Sequence, residues 1–370
     1  MNWHYLWLSL SFFIPFSVSA ENNLATNDLK QPIVLSENRE ALERILEDTF
    51  KQIERDKNQD NEWRNPNEPN NPTGSVRSNT STTTRPVVTQ HFNAMLVRSN
   101  EGNVLLYPFQ DRVFQNGRTV ASGWNFSRYT VGDWNGDGIS DLLANTASGQ
   151  LKLFLFDQRF FDDGKVVGTS AGSTHFFIED WNNDGTPDLL SRNSQGNLYL
   201  SIFKNGFFQD AKKVGVGWYF THYLSGDWTG DGIPDLLVRK NNGDLILYTF
   251  TGQLFDDGKK VGNDWQFTHY FNADWDGNGS LDLMVRQDDG TLLLFKFNGD
   301  SFQNRKVVGS KWQFSHYFPG DWNGDGAADM LVRDDKGDMI LYPFKGEKFL
   351  NSKKVGTKWF FTHYQPFKYK

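Results

Sequence analysis

The sequence predicts an all-β fold, a six-bladed β-propeller with four-stranded blades. Three observations predict it. An Asp-Trp pair followed by a Gly-Asp-Gly-type turn recurs at Asp133, Asp180, Asp227, Asp274 and Asp321, always 47 residues after the previous copy. Periods of about 40 to 50 residues are those of propeller blades. Each copy reads as four short strands separated by turn residues. The first and last copies are incomplete in complementary ways.

The fourth copy shows the strand pattern. Trp218 to Tyr223 alternates and is aromatic, an acidic turn spans 227–235, and Leu236 to Arg239 is a second strand. Asn241-Asn242-Gly243 signals a turn. Leu245 to Phe250 is a third strand, apolar on both faces as when sheets pack on either side. Asp256-Asp257-Gly258 turns again, and Lys259 to Gly262 is a short outer strand.

Other columns keep the same step. One holds Trp124, Trp218, Trp265, Trp312 and Trp359, with Ala171 the exception. A second holds His175, His222, His269, His316 and His363, with Arg128 in the first copy. A third holds Arg98, Arg192, Arg239, Arg286 and Arg333, with Asn145 the exception. A fourth runs Arg118, Lys165, Lys212, Lys259, Lys306 and Lys353. Ten of the 13 tryptophans belong to the two repeating Trp columns.

The copy that begins near His91 has a second and a third strand but no first strand and no acidic turn. The chain ends on a first strand, Trp359 to Tyr364, without a partner. That last strand is expected to complete the first blade and hide the edges an open sheet exposes. This arithmetic fixes six blades over residues 91–370.

The N-terminal quarter differs. Residues 1–20 read as a secretory signal: an apolar run from Leu6 to Val18, then Val18-Ser19-Ala20 as a small-residue cleavage site. No Lys or Arg precedes the run, so the other reading is an uncleaved anchor, although the run is short of the ~20 apolar residues a span needs. No other segment reads as a span. Residues 21–57 hold one amphipathic helix, with Leu42, Ile45, Leu46, Phe50 and Ile53 in a stripe. It either docks on the propeller or serves self-association or partner capture. Residues 58–90, rich in Asn, Pro, Thr and Ser, read as a linker. The implied location is secreted, periplasmic or cell-surface.

The acidic turns carry metal chemistry. In Asp133-Trp-Asn-Gly-Asp-Gly-Ile-Ser-Asp141, oxygens fall at positions 1, 3, 5 and 9 (Asp133, Asn135, Asp137 and Asp141), with the Ile139 carbonyl at position 7. Calcium takes six to eight such oxygens, and this is the opening of an EF-hand loop without its closing glutamate. The second turn offers Asp180, Asn182, Asp184, Thr186 and Asp188, and the third Asp227, Thr229, Asp231, Ile233 and Asp235. The fourth offers Asp274, Asp276, Asn278, Ser280 and Asp282, and the fifth Asp321, Asn323, Asp325, Ala327 and Asp329. No sulfur or histidine stands in any loop, which argues against zinc and copper. The bland alternative is five metal-free Asp/Gly turns. Three carboxylates crowded into each would then repel one another. Up to five structural Ca²⁺ ions are expected, of extracellular-type affinity near ~10⁻⁴ to 10⁻³ M.

The turn Asp-Trp-Asn-Gly-Asp-Gly-x-x-Asp, followed by Leu-Leu and a Gly-x-Leu-x-Leu-Tyr strand, resembles the FG-GAP/VCBS repeat family. The resemblance covers residues 91–370. It implies a β-propeller with integrin-α-like calcium loops. The Lys-Val-Gly-x-x-Trp-x-Phe element is similar to propeller lectins of the tachylectin kind. Such scaffolds host adhesion, sugar binding and accessory domains alike.

Stacked aromatics beside Arg or His donors suit sugar rings. The ligand-binding candidates are therefore Trp218, His222, Trp265, His269, Trp312, His316, Trp359 and His363. The same residues would repeat if they only packed between blades. A catalytic site is normally unique, whereas these carboxylates recur, and no Ser/His/Asp set, phosphate loop or zinc signature is present. The expectation is a non-enzyme. The net charge of −7 and the absence of a basic tract exclude nucleic acid as the expected partner. The lack of cysteine excludes disulfides and thiolate sites. The reading is a calcium-binding, lectin-like module for glycans, the alternative an integrin-like adhesion or scaffold propeller with an extracellular protein ligand.

Overall fold

The computed structural model describes residues 91–369, except Ser127, Ala171 and the side chain of Asn304. The expected leader over 1–20, the helix within 21–57 and the linker over 58–90 lie outside the described residues.

The fold is a six-bladed β-propeller, each blade built on four antiparallel strands. The fourth blade is representative: His222–Gly226, Asp235–Arg239, Leu245–Tyr248 and Lys259–Gly262 pair in that order. Ring closure follows the expectation. His363–Phe367 pairs with Ala94–Arg98, with His363 opposite Arg98 and Phe367 opposite Ala94. Two further ties cross the seam. The Phe92 amide donates to the Asp321 carbonyl at 3.2 Å, and the Ser140 amide to the Lys368 carbonyl at 2.8 Å.

One boundary differs from the sequence reading. The first strand of the fourth blade starts at His222, not Trp218. The Trp218 carbonyl is held instead by Arg192 Nε and by the Tyr223 hydroxyl, the latter at 2.7 Å. Those bonds turn the segment into a crossing between blades.

The first strands of neighbouring blades lie side by side, His363–Phe367 against Arg128–Gly132 and Ser173–Glu179 against His222–Gly226. They therefore surround the axis, and the fourth strands form the rim. Antiparallel pairing decides what each face carries. The acidic turns and the third-to-fourth loops lie on one face. The second-to-third turns and the blade crossings lie on the other.

The core sits between blades. Four of the five acidic-turn tryptophans pack on a phenylalanine of the next blade: Trp181 on Phe250 at 5.5 Å, Trp228 on Phe297 at 5.8 Å, Trp275 on Phe344 at 5.6 Å and Trp322 on Phe109 at 5.6 Å. The Lys/Arg column clasps the rim in the same direction. Lys306 Nζ reaches Glu347 Oε2 of the next blade at 2.8 Å, Lys259 pairs with Asp300, and Arg118 donates to the carbonyls of Gln158 and Arg159. Among the described residues no helix is long and apolar enough to cross a membrane.

Candidate functional site

The acidic turns fold around their own aspartates. Asp133 accepts the amides of Gly136 and Gly138, at 2.8 and 2.7 Å. Asp227, Asp274 and Asp321 repeat the pair, and Asp180 accepts from Asp184 and Gly185. The position-6 glycine takes a left-handed φ in each turn, for instance 83° at Gly138 and 92° at Gly185. A side chain there would be strained.

The position-5 residue accepts the position-7 amide. Asp137 takes that of Ile139, Asp184 that of Thr186, Asp231 that of Ile233, Asn278 that of Ser280, and Asp325 that of Ala327. The position-9 aspartates (Asp141, Asp188, Asp235, Asp282 and Asp329) are fully buried. Each accepts the amide of a third-strand phenylalanine or its neighbour loop: Phe156, Phe203, Phe250, Phe297 or Phe344.

Three carboxylates converge most closely in the fifth blade. Asp274, Asp276 and Asp282 each place an oxygen within 4.8 Å of the other two, the one such trio among the described residues. In three other turns the position-3 amide nitrogen meets a carboxylate: Asn135 donates to Asp137, Asn182 to Asp184, and Asn323 to Asp329, at 3.0, 2.9 and 3.0 Å. These amides thus turn nitrogen, not the expected oxygen, toward the acidic neighbours. Thr229 sends its backbone amide to Asp235 Oδ2 at 3.1 Å.

Burial pushes all five position-9 carboxyls up to about 7. Nearby loop carboxylates add to the effect and the phenylalanine amides oppose it. The second oxygens of Asp188 and Asp282 are buried without a hydrogen-bond partner. A buried orphan oxygen is costly, and the three carboxylates that converge at Asp282 fit a hard cation. The fifth-blade loop has one addition: Lys296 Nζ stands 2.8 Å from Asp276 Oδ2 and 2.5 Å from Glu347 Oε1 of the next blade.

On the opposite face the Trp column is enclosed. Trp218, Trp265, Trp312 and Trp359 are all buried. Each packs between a third-strand aromatic and a loop phenylalanine of the next blade, such as Trp265 with Phe295 at 4.5 Å and Phe302 at 5.0 Å. An enclosed indole offers no face to a ligand. The His column is half-buried and also packs. His222, His269, His316 and His363 lie against Tyr270, Tyr317, Tyr364 and Tyr129 of the next blade, at 4.6 to 5.2 Å. Their Nδ1 atoms meet the preceding Thr or Ser hydroxyls. Burial, then the facing arginine, lowers each to about 4, so these rings are neutral.

The Arg column is a strut. Arg192, Arg239, Arg286 and Arg333 each hold the carbonyl of the crossing Trp through Nε. What the repeat pattern missed is the residue after that Trp. It is Asn125, Gly172, Tyr219, Gln266, Gln313 and Phe360 in chain order. Tyr219 and Phe360 are 59% and 60% exposed. The Arg192 guanidinium lies 5.2 Å from the Tyr219 ring centre, and that of Arg333 lies 5.1 Å from Phe360. The signal was visible as a non-repeating aromatic beside a repeating one.

A model of the FG-GAP-like repeat matches residues 133–191, 180–238 and 274–332. The chain carries FG-GAP-like repeats. Residues 91–369 assemble them, with the copies at either end, into the propeller. Among solved structures, a lectin of Agrocybe aegerita described as recognising non-reducing terminal N-acetylglucosamine superposes with a TM-score of 0.55. Identity is 18%, over 75% of this chain and 93% of that one. AofleA from Arthrobotrys oligospora is 12% identical over 74% of this chain and 88% of its own, with a TM-score of 0.47. No curated protein matches the sequence.

Proposed function

We propose that this chain is an exported, non-catalytic glycan-binding module whose acidic face is clamped by calcium. One observation carries the binding half. On the crossing face Tyr219 and Phe360 present open rings, each backed by a guanidinium. Sugars stack apolar C–H faces on aromatic rings and offer rim oxygens to N–H donors. The glycan specificity described for the Agrocybe aegerita lectin, a propeller of similar fold, supports the same class of ligand.

Each acidic turn would hold one Ca²⁺ through its carboxylates, which supplies positive charge where buried oxygens lack it. The protein's own part is to pre-shape the loop: position-1 aspartates and left-handed glycines fix its curve, and position-9 aspartates bind it to the third strand.

A glycan array with the full chain in calcium tests the reading. Binding to saccharides terminating in N-acetylglucosamine or another pyranose, lost in a Tyr219→Ala/Phe360→Ala double variant that stays folded, supports it. Silence across neutral and acidic glycans by folded protein contradicts it.

A further inference from the structure

Resting on that glycan reading, we infer that the ring is divalent: two of its six blade junctions hold a neutral pyranose, and they face each other across the axis. Tyr219 lies on the crossing from the third to the fourth blade, and Phe360 on the crossing from the sixth to the first. Three blades separate them, half a turn of a six-bladed ring.

Both platforms are built alike. Tyr219 lies directly on the backbone of Gly196, where a Cβ would stand 2.7 Å from the ring, and Phe360 lies on Gly337 with the same clearance. Arg192 and Arg333 are pinned through Nε to the crossing carbonyl and through Nη1 to Thr174 Oγ1 and Ser315 Oγ. Neither Nη2 donates a hydrogen bond among the described residues. Each junction therefore joins an open aromatic face to a fixed, available N–H donor.

The remaining described junctions lack this pairing. At the fourth-to-fifth crossing Gln266 replaces the aromatic, and its Oε1 accepts the Arg239 Nη2 bond at 2.8 Å. The donor is occupied and no ring is offered. Gln313 and Asn125 stand at the same position in two others. A neutral sugar is favoured at the Phe360 junction, where Asp334 and Asp335 in the adjoining turn would repel a carboxylate, and the Tyr219 junction, built alike, is assigned the same class. Two sites half a turn apart on one face allow one molecule to engage a multivalent surface twice.

Calorimetry on the full chain in calcium tests this. The probes are methyl glycosides of neutral hexoses and N-acetylhexosamines, with the matching uronic acids. The expected stoichiometry is two. Tyr219→Ala or Phe360→Ala leaves one site of unchanged affinity and weakens the other about tenfold, as loss of one ring contact would. Gln266→Tyr frees Arg239 and adds a third site. Five or six equal sites, binding retained in the double alanine variant, or preference for the uronic acids overturns the inference while leaving glycan binding intact. No binding by any probe overturns both readings.

Discussion

Two neighbouring positions of the blade crossing separate a packed ring from an open one. Trp265 is enclosed by Phe295 and Phe302, while Tyr219, one position past the equivalent Trp218, is mostly in solvent. Trp265→Ala should cost about 3 to 5 kcal/mol, the range for emptying an aromatic core site. Tyr219→Ala should stay within about 0.5 kcal/mol of wild type, as for other surface changes. Equilibrium unfolding in urea checks both, and equal losses would contradict the division of labour. A periodic sequence cannot by itself separate these roles, since a residue repeated in every blade satisfies either. Here the repeated aromatics pack and the unrepeated ones are exposed. The histidines follow the same logic. His222 is held near a pKa of 4 against about 6.5 in an unfolded chain. Between those values the unfolded chain takes a proton the ring refuses, so this contribution to stability is lost as pH falls from about 6.5 toward 4. Urea midpoints across that window should decline less steeply in His222→Gln than in wild type. A parallel decline would remove His222 from the account.

At the scale of elements, the four strands and their turns were legible because the cues are local. Gly138 and its equivalents mark left-handed turns, and Leu236 to Val238 form an unbroken apolar run up to Arg239. The strand start at His222 was not legible. It depends on Arg192, which lies 26 residues before the Trp218 carbonyl it binds and belongs to the preceding blade. The acidic turns were legible as chemistry and less so as geometry. Spacing placed Asp282 in its loop, but only the fold shows that its Oδ2 is buried beside Asp274 and Asp276. Lys296 was equally invisible as a loop neighbour, because it enters from the third strand of the same blade.

For the whole molecule the decisive feature is closure. The strand His363–Phe367 completes the blade begun at Ala94, so the two ends of the described chain share one sheet. Deleting residues 363–370 should expose the second strand of the first blade as an unpaired edge. Hydrogen exchange should then accelerate at 94–98 before any other blade, whereas uniform exchange would show that closure is not local to that seam. The ring and its blade count were readable from the complementary ends of the repeat array. The exposed rings of Tyr219 and Phe360 were not, since they break the repeat that revealed the fold.

We propose that cations in the acidic turns hold this ring together. Thermal unfolding of the full chain, before and after chelation and again after calcium is restored, tests it most directly. The account predicts a fall in midpoint on chelation that calcium reverses and sodium chloride of equal ionic strength does not. Superimposable curves in all three conditions would contradict it.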